Sequence, residues 1–234
     1  MDSGRFTQIV RPTVLSRKNY NKIFCIGENK TGTTTLEHVL KIYGFNLPLQ
    51  QEQEVRLTKQ CFSTNYQGFK EFVSKYDAFQ DLPFSQGQTY VVADAIFTNS
   101  RFILTERNPE DWFNSLVNFH KKIFKINDLS SMTESDVINR MDYLYPGYAY
   151  ENISRKLFVS DDERCFVDWG KLYDKDYYID QYLRRNLEVK RYFMNSPEKL
   201  LVIDLSKEYN TGRLCNFLGL PEEYIVEFPR INKT

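Results

Sequence analysis

The sequence predicts a doubly wound α/β fold, a central parallel sheet with helices on its faces, and three observations carry the prediction. Short apolar runs of the kind that form fully buried parallel strands stand at residues 22–27, 76–80, 101–105 and 200–204. Helical patterns occupy the intervals between them. The first run leads through a glycine- and threonine-rich loop directly into a helix, and in such sheets ligands bind beyond the carboxyl ends of the strands.

Each element follows from its residues. Lys22-Ile23-Phe24-Cys25-Ile26-Gly27 reads as a buried strand, and the helix after it keeps Leu36, Val39, Leu40 and Tyr43 on a 3.6-residue period until Gly44 ends it. Trp112, Leu116, Phe119 and Ile123 mark a helix that opens near Pro109. Ile179, Tyr182, Leu183 and Leu187 mark a long one that ends before Asn195-Ser196-Pro197. Right-handed crossovers through such helices keep the strands parallel. Residues from about 127 to 173, rich in Tyr, Asp and Ser, break the alternation and read as a helical or irregular insertion over the substrate cleft. With no repeat, low-complexity tract or Gly/Ser linker, residues 1–234 read as one domain carrying that insertion.

Composition limits the function. A chain of 234 residues with 41% hydrophobic residues buries enough surface to hold a core without disulfides or structural metal. Its 31 basic and 31 acidic residues cancel, so no whole-molecule field draws a nucleic acid or an anionic membrane, and any anion site must be local. Cys25, Cys61, Cys165 and Cys215 form no CxxC pair, and His38 and His120 are not spaced to complete a zinc site. Four free thiols, no signal-peptide core in the first twenty residues and no apolar stretch of spanning length together predict a cytoplasmic protein without a membrane span.

The loop Gly27-Glu28-Asn29-Lys30-Thr31-Gly32-Thr33-Thr34-Thr35 carries the strongest chemical signal. Gly27 and Gly32 meet the G-x-x-x-x-G spacing that turns backbone N–H groups around a phosphate at a helix N-terminus. The usual P-loop lysine is absent. Thr33 takes its position, Thr34 falls on the magnesium-binding hydroxyl, and the loop's cation, Lys30, lies two residues before the second glycine. Such a loop suits an anion without the geometry for a metal-bound triphosphate. The plain alternative is a turn whose Thr31 or Thr33 caps the helix.

Lys30-Thr31-Gly32-Thr33-Thr34 resembles the phosphosulfate loop of the sulfotransferases that use 3′-phosphoadenosine 5′-phosphosulfate (PAPS). Arg107 and Ser115, eight residues apart, resemble that family's second motif, a strand-end arginine and a helix serine that hold the 3′-phosphate. The stretches NKTGTTTL, ILTERNPEDWFNSL, LLVIDL and FPRINKT are closest to the microbial-type branch. The resemblance runs from about residue 22 to the C-terminus and is weakest over 127–173. It implies a three-layer P-loop NTPase-like fold, in-line sulfuryl transfer to a hydroxyl or amine, and no metal. It also implies that Lys30, Thr31, Gly32, Thr33, Thr34, Arg107 and Ser115 bind the cofactor, with Asn232 and Lys233 reaching it from the chain end, and that Lys30 stabilises the leaving phosphate.

In many animal members the base is the histidine of a His-Leu-Pro stretch; Asp81-Leu82-Pro83 stands in its place here, making Asp81 the candidate catalytic base. The role needs burial to raise the Asp81 pKa against the pull of Lys30. Its alternative is a carboxylate that ends a strand and satisfies turn N–H groups. His120 is the competing base, five residues beyond Ser115 and so on another helix face, and His38 is expected to pack. The alternative for Arg107 is an ion pair with Glu110 or Asp111. Glu28 and Glu106 stand where the family more often has apolar residues, and Arg185 where it has a histidine. Unless these two carboxylates turn away or pair, they favour a cationic acceptor. Tyr143, Tyr145, Tyr148, Tyr150, Tyr173, Tyr177 and Tyr178 either line an acceptor cleft or pack as half-buried rings. The expected partner is a small-molecule, carbohydrate or lipid acceptor, with no nucleic acid. A magnesium-ATP kinase and a non-catalytic nucleotide-binding shell are the alternative functions, and oligomeric state is not read from these residues.

Overall fold

The computed structural model describes residues 19–229. By packing, the backbone divides into two compact units: one joins the chain up to Arg107 with the chain from Asn186 onward, and the other is Asn108–Arg185.

The first unit holds the sheet. Strands β1 (Ile23–Cys25), β2 (Ala78–Phe79), β3 (Arg101–Thr105) and β6 (Leu200–Ile203) lie in the order β2-β1-β3-β6, all parallel, with Ile23 opposite both Ala78 and Arg101, and Phe102 opposite Leu200. All four expected strands are present. Between β1 and β2 come helices α1 (Thr33–Ile42), α2 (Gln50–Phe62) and α3 (Tyr66–Val73); α4 (Thr89–Ile96) precedes β3, and α9 (Gly212–Leu218) follows β6.

Alternation along the strands makes this a three-layer structure. Ile23, Cys25, Ala78, Ile103 and Ile203 pack on one face with Leu36, Val39 and Leu40 of α1 and Leu214 and Leu218 of α9. Phe24, Ile26, Phe79, Phe102 and Leu104 pack on the other with residues of α2, α3 and α4. Phe24 is the hub of that second layer, with its ring 5.5 Å from Phe79, 4.9 Å from Phe84 and 5.4 Å from Phe102. Burying a ring of this size stabilises the fold by roughly 1.5–3 kcal/mol.

The second unit contains α5 (Pro109–Phe124), α6 (Glu134–Arg140), α7 (Tyr148–Lys156), the antiparallel hairpin β4 (Phe158–Ser160) and β5 (Cys165–Val167), and the first turns of α8 (Lys175–Tyr192). Asn108 caps α5 by accepting from the N–H groups of Glu110 and Asp111, Pro109 opens the helix, and the acidic first turn suits the helix dipole. Residues 127–173 thus hold two helices and a hairpin joined by irregular stretches. Their core includes Val137, Ile153 and Leu157, and it extends past that segment on both sides through Trp112, Leu116, Tyr178 and Tyr182. Trp112 stacks on Tyr182 at 4.4 Å, and the Lys156 ammonium lies 5.2 Å from the Trp112 ring.

Two expectations from periodicity are corrected. Leu183 and Leu187 are 49% and 46% exposed, because the buried stripe of α8 runs instead through Tyr178, Tyr182, Asn186, Val189 and Phe193. His38 is exposed on the same face of α1 as Thr34 and does not pack. The four cysteines are free. Among the described residues no helix is long and apolar enough to cross a membrane.

Candidate functional site

The loop after β1 is shaped by two close approaches. A Cβ on Gly27 would lie 1.9 Å from the Thr105 hydroxyl and 2.6 Å from its carbonyl oxygen, so only glycine lets the loop cross the end of β3. Gly32, at φ 101, would place a Cβ 2.8 Å from Leu205 Cδ1. Lys30 is also left-handed, at φ 75, so φ alternates in sign through Lys30, Thr31 and Gly32, the pattern that gathers successive N–H groups into a concavity for an anion.

The concavity opens onto α1. The first-turn N–H groups of Thr33, Thr34 and Thr35 have no acceptor within the helix, Gly32 supplies no side-chain cap, and the first turn has no acidic residue. The capping alternative therefore fails for both threonines. Thr31 Oγ1 donates to the Glu28 carbonyl at 2.6 Å and lies 2.6 Å from Thr105 Oγ1; its one proton being used, Thr105 must donate to Thr31. Thr33, where a P-loop would have lysine, is buried and donates to Asp81 Oδ2 at 3.4 Å.

Arg107 is held against this loop, its guanidinium donating to the Lys30 carbonyl at 3.3 Å. Of the two acids proposed to occupy it, Glu110 pairs with Lys175 in the second unit. Glu106 pairs with Lys190 at 2.7 Å, which removes one of the two carboxylates that favoured a cationic acceptor. Ser115 belongs to the second unit, half-buried on α5. Asn232 and Lys233 lie outside the described residues.

Asp81 follows β2 in a left-handed conformation, φ 64, which short polar side chains tolerate, and it is 8% exposed. Its Oδ2 takes the Thr33 hydroxyl and, also at 3.4 Å, Gln50 Nε2. Its Oδ1 is buried without a hydrogen-bond partner. Turn satisfaction accounts for part of this residue: its carbonyl accepts from the Ser85 N–H, and the Leu82 N–H favours its carboxylate. Burial pushes the Asp81 carboxyl up to about 6, although Thr33, the Lys30 charge and Leu82 oppose the rise.

Sequence reasoning missed the residues that hold Asp81. Gln53 on α2, 2% exposed, donates to the carbonyls of Gln80 and Leu82 on either side of Asp81, at 2.5 and 2.6 Å. Gln50 and Glu54 of the same helix complete the surroundings. The run QQEQE gave no local signal of this, because a polar helix start ordinarily reads as a solvated face.

The other candidates belong to the second unit. His120 Nδ1 lies 2.8 Å from the Tyr173 hydroxyl. Tyr148, Tyr173 and Tyr178 are buried and Tyr143, Tyr145 and Tyr177 half-buried, with Tyr173 stacked on Tyr178 at 5.8 Å. Tyr150 is exposed and stacks on Trp169 at 5.7 Å. Among the described residues no three His, Cys, Asp or Glu side chains gather as a metal site would require.

A family model described as a sulfotransferase domain matches residues 22–234, from the first strand through both units. No curated protein matches the chain.

Proposed function

The chain belongs to the sulfotransferase-domain family, and from that premise we propose that it transfers a sulfuryl group from PAPS to a hydroxyl acceptor. Bound PAPS would supply a sulfuryl group carried on a phosphate leaving group. The loop residues Lys30, Thr31, Gly32, Thr33 and Thr34 fit its phosphosulfate end, since the concavity offers N–H groups, a helix N-terminus and one ammonium. Arg107, a planar fork beside the loop, suits the 3′-phosphate, and the family resemblance adds Ser115 and Lys233 as candidates for the same group.

The observation that carries the reading is the partnerless buried Oδ1 of Asp81, whose other oxygen is tied to Thr33 at the head of the anion loop. A buried acceptor atom left open can take a donor, whether a water or a ligand hydroxyl. Asp81 takes the acceptor's hydroxyl proton there, and Lys30 together with the loop N–H groups balances the charge that collects on the phosphate side. The acceptor is a small molecule, a carbohydrate or a lipid. Free thiols suit a reducing cytoplasm as the place of the reaction.

A thermal-shift titration tests the donor. 3′-Phosphoadenosine 5′-phosphate (PAP) is expected to raise the melting temperature with chelator present, and Arg107→Ala to abolish most of the rise. Stabilisation by magnesium ATP alone would point to a kinase-like nucleotide site, and no response to any nucleotide would leave a binding shell without this cofactor.

A further inference from the structure

Beside Asp81 the fold buries a second carboxyl that the proposed reaction does not use. Glu54, on α2, is 4% exposed, and its Oε1 accepts from Gln50 Nε2 at 2.9 Å; the same nitrogen reaches Asp81 Oδ2 at 3.4 Å. One amide therefore spans two buried carboxyls. Ionising both in so little water is costly, so the pair favours a state with one proton and one charge. The donors decide which member is charged. Asp81 has the Thr33 hydroxyl, the Leu82 N–H and the positive field of Lys30, whereas Glu54 has the Gln50 amide. Glu37 of α1 faces both with a negative charge, and it is itself paired with Lys41 at 2.5 Å.

We propose that Glu54 is a positioning residue for Asp81: it takes up the proton of the pair and steadies Gln50, so that the negative charge stays on Asp81 beside the anion loop. This rests on the reading of Asp81 as the base. The direction of ionisation at Glu54 agrees, since burial and then the Asp81 charge push its carboxyl up to about 7. A protonated Glu54 has a second effect. It withholds a charge that would offset Lys30, leaving the ammonium's field for an anionic donor.

The test is a carboxyl ¹³C NMR titration of the full chain, labelled at Asp Cγ and Glu Cδ, beside PAP thermal shifts on the same samples. Asp81 is expected to titrate before Glu54. Asp81→Asn should lower the Glu54 midpoint by about one pH unit through loss of the neighbouring charge. Glu54→Gln should delete the later step while keeping the Asp81 step and the PAP response. Gln50→Ala changes an exposed residue, so folding is preserved, and it should raise the Glu54 midpoint by removing the amide that favours the carboxylate. A Glu54 midpoint below that of Asp81, or one unmoved by Asp81→Asn, overturns the inference while PAP binding stands. Failure of the wild-type protein to respond to PAP overturns the sulfuryl-transfer reading itself, and with it the catalytic sense of the pair.

Discussion

The hydroxyls of Thr31 and Thr105 meet at 2.6 Å, joining the middle of the anion loop to the last residue of β3. Arg107 leaves that same strand end two residues later, so one buried hydrogen bond sets the spacing between the loop and the arginine. Thr105→Val removes the donor and puts a methyl where only a hydroxyl fits. We expect a loss of about 1–2 kcal/mol in urea unfolding and a several-fold weaker PAP affinity, with Thr105→Ser close to wild type. Gly27→Ala should cost more, about 3 kcal/mol, because the obstacles at 2.6 and 2.8 Å are Thr105 backbone atoms, which cannot turn aside.

Lys30 combines a required ammonium with an unfavourable backbone, at φ 75. Lys30→Gly should therefore stabilise the fold by up to about 1 kcal/mol, since glycine adopts this conformation without steric penalty. The same substitution should lower PAP release from PAPS by about 10²–10³-fold, the magnitude seen when one preorganised charge-stabilising group is lost. A more stable protein with less turnover separates the two roles. Equal turnover in Lys30→Gly would remove Lys30 from the chemistry.

Legibility in the sequence followed distance along the chain. The loop of residues 30–34 was legible as an anion-loop candidate because its chemistry is local: two glycines, a cation and a helix start fall within nine residues. The four strands were legible for the same reason. Gln50, Gln53 and Glu54 were not, because they meet Asp81 only after α2 folds back over a turn about thirty residues away, and nothing in a polar run marks which members will be buried. Periodicity also misplaced Leu183 and Leu187, since α8 selects its buried side through Tyr182, Asn186 and Val189, and a polar Asn186 in that stripe hides it from an apolar count.

Glu106 looked hostile to an anionic ligand, and its pairing with Lys190 explains how the position is tolerated. The pair is partly exposed, at 43% and 27%, so Lys190→Ala should change stability by less than about 1 kcal/mol. PAP affinity should fall several-fold, because an unpaired carboxylate then stands next to Arg107. Adding Glu106→Gln should restore it. Calorimetric titration of the two single variants and the double variant at low and high salt checks this; the Lys190→Ala deficit should shrink as salt screens the charge.

Asp81 and Glu54 also set how stability responds to pH. Both carboxyls bind protons more tightly folded than unfolded, with folded values of about 6 and about 7 against ordinary values near 4. Through that window the folded state holds more protons than the unfolded one, so their contribution is fully present below about pH 4 and is lost as pH rises through 6 and 7. The wild-type melting temperature should accordingly fall between pH 5 and pH 8, apart from any response of the surface carboxylates to acid. Glu54→Gln and Asp81→Asn should each make that fall shallower, because each replaces an ionising group with a neutral one of the same shape. Adding PAP should steepen the wild-type curve relative to both variants, since an anion beside the loop makes a second negative charge there costlier still. Parallel curves for all three proteins would mean that the two carboxyls ionise as they do in the unfolded chain.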